Sequence, residues 1–322
     1  MSISRRNLLT QSAAFAAATT IMSFSPALAK APLAGAQIPG VFRYKIGSLE
    51  VTALLDGYLD IEHNLFPAAD AAETGRLLGR SLMPNAPIRT PVNAFLVNSS
   101  SRTVLVDTGS AKLMGPTMGD LPANLKVAGI DPAAIDAVLL THLHPDHVNG
   151  LITADGSRLF PNAEIVIPQT EVDFWLDEAV MSRAPADAQP FFKMAQAATK
   201  PYASQIRRIS GNADILPDIT PIAQPGHTPG HTGYIVSSGN DSLWIWGDIV
   251  HAMVLQIAHP DWTISFDTDP AQAAATRKSA FDRAASDRIA VVGAHIPFPG
   301  HGRIVREGSQ YGFVPTPWSP TL

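Results

Sequence analysis

The chain has 322 residues, 46% of them hydrophobic, which is ample for a core and too apolar for a disordered chain. Only 16% are charged, and the formal net charge of -5 comes without a long basic run, which excludes a nucleic-acid groove. The absence of cysteine removes disulfides, thiolate nucleophiles and every cysteine-ligated metal site.

In chain order, the first segment reads as an address. Arg5-Arg6-Asn7-Leu8-Leu9 sets paired arginines before a small, apolar stretch from Leu8 to about Phe24, and Ala27-Leu28-Ala29 offers a small-x-small cleavage site. The pattern resembles a twin-arginine export signal. Residues 1–29 are therefore expected to be a signal peptide read by the twin-arginine export machinery, with residues 30–322 a single domain, periplasmic or secreted after cleavage near Ala29. The other reading of this segment is an uncleaved apolar N-terminal helix. The run is short for a membrane span of about 20 residues, and no later stretch is long enough, so the mature chain is expected to have no membrane segment.

Beyond residue 40 no Gly- or Ser-rich linker divides the chain. Val92–Val97 and Thr103–Asp107 read as paired strands around the turn residues Asn98 to Arg102. A helix is predicted near Leu121–Ala128. Ala137-Val138-Leu139-Leu140 then reads as a strand buried on both faces. Further strands are predicted at Glu164–Ile167, Gly233–Val236, Leu243–Trp246 and Ile289–Val292. Helices are predicted at Gln169–Leu176, Ala188–Ala198 and Pro270–Ala285, the last with Asp269 as N-cap. Mixed strands and helices without a break predict a layered α/β fold.

The buried strand ends abruptly at Thr141-His142-Leu143-His144-Pro145-Asp146-His147. Residues two apart in an extended stretch point the same way, so His142 and His144 can converge on one point. Pro145 forces a turn that aims Asp146 and His147 at a second point nearby. Three of the chain's ten histidines fall in this one loop, which sets it apart from scattered core or surface histidines. His227, in Pro225-Gly226-His227-Thr228-Pro229-Gly230-His231, sits among tight-turn residues. Asp248 and His295 each follow an apolar strand, where open α/β sheets place their sites. Imidazole and carboxylate donors suit zinc, manganese, iron or cobalt.

His-x-His-x-Asp-His, Gly-His-Thr, Gly-Asp and the late Gly-x-His together resemble the metallo-β-lactamase superfamily over most of residues 40–315. The resemblance implies an αββα sandwich with a dinuclear site, most readily zinc, at the strand-end loops between its sheets. It implies His142, His144 and His227 on one metal, Asp146, His147 and His295 on the other, and Asp248 bridging both. His231 is set aside, because the family's ligand is the first histidine of its turn. Asp107, in Val106-Asp107-Thr108-Gly109, resembles the acid that steadies a ligand histidine. Two dications against two carboxylates and a bridging hydroxide leave a net positive centre for a developing oxyanion. This suits hydrolysis by attack of the hydroxide, with Asp146 taking and returning a proton. A homodimer is expected from the resemblance alone.

Fold does not name the substrate. True β-lactamases usually lack an acid matching Asp248, and His144 departs from the glutamate of flavo-di-iron proteins. A mononuclear iron persulfide dioxygenase and a non-catalytic metal-binding protein stay as remote alternatives. A second resemblance, carried by Glu50–Gly57, Gly115–Gly119, Asp173–Leu176 and Tyr311–Pro315, is to methyl parathion hydrolase and its lactonase relatives. It implies Trp175 and Phe191 on an aromatic rim, with His251, Ile264 and Phe266 lining the pocket. In the organophosphate branch the position of His251 is aliphatic, and those of Ile264 and Phe266 are smaller or less aromatic. Phe266 and Ile264 would narrow the pocket toward a flat ester, and His251 could donate a hydrogen bond or proton near the leaving oxygen. The expected activity is therefore hydrolysis of a small-molecule lactone or aryl ester first, with a phosphotriester as the alternative substrate.

Overall fold

Alternation of side chains sets the layers. In the computed structural model, which describes residues 33–211 and 215–322, residues 137–139 are all buried, but Val138 packs among helices while Ala137 and Leu139 pack against a second sheet. The same split separates Leu105 from Val104 and Val106. In the second sheet it separates Trp244, facing a helix, from Leu243 and Ile245, facing the first sheet. A strand buried on both faces needs such two-sided cover.

The first sheet runs in the order β1 (Val41–Ile46), β2 (Leu49–Ile61), β3 (Ile88–Asn98), β4 (Thr103–Val106), β5 (Ala137–Leu139), β6 (Glu164–Pro168) and β7 (Ile206–Ile209). Its first four strands are antiparallel and β4 to β7 are parallel. The second sheet comprises β8 (Ile219–Ala223), β9 (Thr232–Ser238), β10 (Asp241–Ile245), β11 (Ala290–Val292), β12 (His301–Glu307) and β13 (Gln310–Pro315), with only β10 and β11 parallel. Helices cover the outer faces. Gln169–Trp175 and Gln189–Thr199 lie on the first sheet, and Pro270–Asp287 lies on the second through Ala280, Phe281 and Ala284. The result is the expected αββα sandwich. Pro39–Leu322 form one compact unit. The expected signal segment 1–29 lies outside the described residues. Among the described residues, no helix is long and apolar enough to cross a membrane.

The predicted inner strands and helices fall within a residue or two of their observed ends, except that β3 begins at Ile88, four residues before the expected Val92, and the Asp269 carboxylate accepts from the backbone of Gln272 at 3.0 Å as the N-cap. The N-terminal hairpin β1–β2, the helix Ala71–Arg80 and the C-terminal hairpin β12–β13 were not predicted from local pattern. β2 bends at a register shift between Leu55 and Gly57. Beyond the bend, Ile61 and Ile88 pack with Phe66, Leu78, Leu255, Trp262 and Ile264 into a small lobe beside the cavity described below. At the bend the buried Asp56 carboxylate accepts backbone N–H groups from Ser110, Gly119 and Leu121 at 2.9–3.1 Å, fixing the 110–121 loop.

Candidate metal centre

The donors stand at strand ends. After β5 the chain bends at Thr141, is extended at His144 (φ -67°, ψ 152°), and then forms the helical turn Pro145–Val148. Pro145 suits the first position of that turn because it lacks an N–H to satisfy. His142 and His144 share one side while Leu143, between them, is buried in the helix-side core. His227 lies between β8 and β9, Asp248 follows β10, and His295 follows β11. Gly226 (φ +127°) and Gly247 (φ +58°) are required before His227 and Asp248. A Cβ on either would come within 2.2 Å of Ala273 N or 2.5 Å of His231 Nε2.

The side chains converge as two triads, His142–His144–His227 and Asp146–His147–His295, all buried. His144 Nδ1 and His227 Nε2 are 2.9 Å apart. Asp248 Oδ2 lies between the triads, 3.7 Å from His142 Nε2, 3.4 Å from His227, 3.3 Å from His147 and 3.1 Å from His295. His251 Nε2 stands 3.2 Å from the same oxygen.

Outer partners orient these rings. His147 Nδ1–H donates to Asp107 at 2.9 Å, and Asp107 also accepts from Thr141 N–H and Oγ1. His227 Nδ1–H donates to Asp267, and His295 Nδ1–H to Pro91 O, both at 2.9 Å. Each ring therefore turns Nε2 inward. His231 is no ligand. Its Nδ1–H donates to Gln224 O and its Nε2 accepts Asp248 N–H at 3.0 Å, so it holds the backbone of the bridging acid. Burial pushes its pKa down to about 3, keeping it neutral for that task. Beneath the site the buried Arg277 donates to Ile249 O, Pro260 O and Trp262 O and stands 3.8 Å from Asp267.

The electrostatics call for cations. Asp107, Asp146, Asp248 and Asp267 are all buried, against the guanidinium of Arg277, the one buried Lys or Arg among the described residues. Burial acts to lower the pKa of each of the five ligand imidazoles, and for His142 and His144 it prevails. For His147 it is outweighed by Asp248, Asp146 and Asp107, and for His295 by Asp248 and Asp146. For His227, Asp248 and Asp267 overcome burial and push the pKa up to about 9. His142 Nε2, His147 Nε2 and Asp248 Oδ1 are buried without a hydrogen-bond partner. Orphaned inward-facing donor atoms amid excess carboxylate fit two divalent cations.

The centre floors a cavity of about 700 Å³ including its open mouth. Phe191, Phe266 and His251 line it as the sequence suggested, together with Leu59, Ile61, Leu65 and Met114, which the sequence did not single out. Two expected pocket residues do not line it. Trp175 is buried under the site, its ring edge-on to His144 at 5.2 Å and against Phe192 at 4.5 Å, because its helix packs down onto the first sheet. Ile264 is buried in the adjoining lobe, and its N–H donates to Asp267 Oδ2 at 3.1 Å, so it steadies the acid behind His227. Asp267 itself escaped the sequence reading. It lies two residues before Asp269, and although Pro270 marks Asp269 as the cap, nothing in the local pattern says that Asp267 turns inward to His227.

The chain belongs to the metallo-β-lactamase superfamily, whose family model matches residues 87–295. Among solved structures it is similar to hydrolase AbOPH of the β-lactamase superfamily, at 32% identity and TM-score 0.84, covering 88% of this chain and 100% of that one. It is also similar to AidC, a dizinc quorum-quenching lactonase in complex with its product, at 29% identity and TM-score 0.82, covering 87% of this chain and 98% of that one. An N-acyl homoserine lactonase from Bacillus thuringiensis is 25% identical over 177 residues, 49% of this chain and 63% of its own length. The chain spans 27% to 63% of the length of the first three curated relatives it matches.

Proposed function

We propose that this chain is a dinuclear-metal hydrolase that opens neutral lactones or aryl esters. The observation that carries the reading is a two-triad donor cluster opening into a cavity whose walls, Asp60 apart, are apolar side chains, with no Lys or Arg among the described residues lining it. A glutathione thioester or other anionic substrate would need cationic partners there. A neutral ester with an apolar body needs none. The likeness to a dizinc quorum-quenching lactonase supports the same reading.

When bound, the ions supply a water ionised near neutral pH and polarise the oxygen of the scissile group. His142, His144 and His227 would hold one ion, Asp146, His147 and His295 the other, and Asp248 both; zinc suits this donor set. The protein's own groups do the rest. Phe191, Phe266, Leu65 and Met114 enclose the apolar body of the ester and exclude water from it. His251, buried with both ring nitrogens unpartnered, faces the cavity beside Asp248. Burial, then the charge on His227, pushes its pKa down to about 4, so at neutral pH it is an uncharged imidazole able to hydrogen-bond a leaving oxygen. Asp146, in the cavity wall, can take up a proton and return it.

Phosphotriester hydrolysis is the second reading, and one finding favours it as a side activity. With Ile264 outside the wall, Phe266 alone of the two narrows the pocket. The double variant His251→Leu, Phe266→Leu is expected to raise kcat/KM for methyl paraoxon by about tenfold or more and to lower it for dihydrocoumarin. A fall in phosphotriester turnover would overturn the pocket assignment.

A further inference from the structure

We infer that Glu171 is a positioning residue for one half of the centre, the triad of His142, His144 and His227; this rests on reading the centre as a two-ion site. Glu171 sits in the helix Gln169–Trp175 and is fully buried. Both of its oxygens go to backbone. Oε2 accepts Leu143 N–H at 2.9 Å, and Oε1 accepts Gly230 N–H at 2.7 Å.

Leu143 lies between His142 and His144, and Gly230 lies three residues past His227. One carboxylate thus ties the loop leaving β5 of the first sheet to the loop joining β8 and β9 of the second. Those two loops carry all three donors of this triad. The approach is close: a Cβ on Gly230 would come within 2.6 Å of Glu171 N. Burial disfavours the charged carboxylate and raises its pKa, so two charge-assisted bonds to backbone are what the position needs.

The other triad is held by different groups. Asp107 holds His147, Pro91 O holds His295, and the Asn93 amide donates to Gly293 O and Ile296 O at 3.2 and 2.8 Å. Loosening Glu171 therefore frees the first triad and leaves the second in place. Donor atoms need placement to about 0.5 Å; Asp267 and Thr141 orient the rings of His227 and His142, and Glu171 fixes the backbone of the two loops that carry the triad.

The test is Zn²⁺ titration against a chromophoric chelator, with melting of the metal-free proteins alongside. In Glu171→Gln the amide NH₂ faces a backbone N–H and one loop is released. One of the two ions is expected to bind about 10- to 100-fold more weakly, the other within about twofold of wild type. In a His295→Ala background, adding Glu171→Gln weakens the remaining ion; in a His144→Ala background it does not. If Glu171→Gln does not fold, Glu171→Asp, one methylene too short to reach both loops, carries the same expectation. Equal weakening of both ions, no weakening, or weakening in the His144→Ala background overturns the inference. Wild-type protein that takes up fewer than two Zn²⁺ overturns the two-ion reading as well, whereas two ions held equally tightly in wild type and Glu171→Gln sink the inference alone.

Discussion

Asp248→Asn is expected to leave a folded chain that holds at most one divalent ion and turns over an aryl ester at least about 10³-fold more slowly, ~4 kcal/mol of lost transition-state stabilisation. A single oxygen of Asp248 lies 3.1–3.7 Å from the Nε2 of five histidines, including members of both triads. Asparagine removes the negative charge and sets a donor against inward-facing imidazoles. The loop should survive, because His231 holds the backbone N–H of residue 248 rather than its side chain. Metal content by mass spectrometry, a thermal melt and steady-state kinetics check the three parts. Two ions retained with kcat/KM within tenfold of wild type would show that Asp248 does not join the halves.

Removing metal from the wild-type protein is expected to abolish hydrolysis and to lower Tm by roughly 10 °C. An ion at 1,000 times its Kd stabilises by about 4 kcal/mol and two by about 8, and at about 2.1 cal/mol/K per residue each kcal/mol is worth about 1.5 °C in a chain of this size. The metal-free centre keeps protons instead. The pKa of His227 is raised from 6.5 to about 9 by Asp248 and Asp267, against burial. Because the folded value lies above the unfolded one, that pairing stabilises the metal-free protein fully below pH 6.5 and is lost as pH rises to about 9. Metal must displace the same proton, so its affinity rises over that range. The gap in Tm between metal-loaded and metal-free protein should therefore widen from pH 6.5 to 9. A gap that is absent, or that narrows, would separate the cluster from metal binding.

What could be read from sequence followed from how local each signal is. The 142–147 loop, His227, Asp248 and His295 each sit beside an apolar strand or a Gly/Pro turn, so residue type and neighbours marked them as candidates, and the resemblance grouped them into two triads. The inner strands were legible because burial on both faces leaves a continuous apolar run. β1 and β13 were not, since a strand with one exposed face mixes polar residues among apolar ones, as in Val41–Ile46. The supports of the site were also hidden. Asp267, Glu171 and Arg277 lie on helices or loops remote in sequence from the rings they serve, and only the packing of the sandwich brings Glu171 to Leu143 and Gly230. Trp175 and Ile264 were misplaced for a related reason. Similarity in sequence located them near the centre, but not whether their side chains face the cavity or the core beneath it.

The central claim, a neutral lactone or aryl ester as substrate, is tested most directly by kcat/KM for dihydrocoumarin against methyl paraoxon on protein shown by mass spectrometry to carry two metal ions. The expected result is a preference for the lactone of at least about a hundredfold. A preference for the phosphotriester on the same preparation would contradict it.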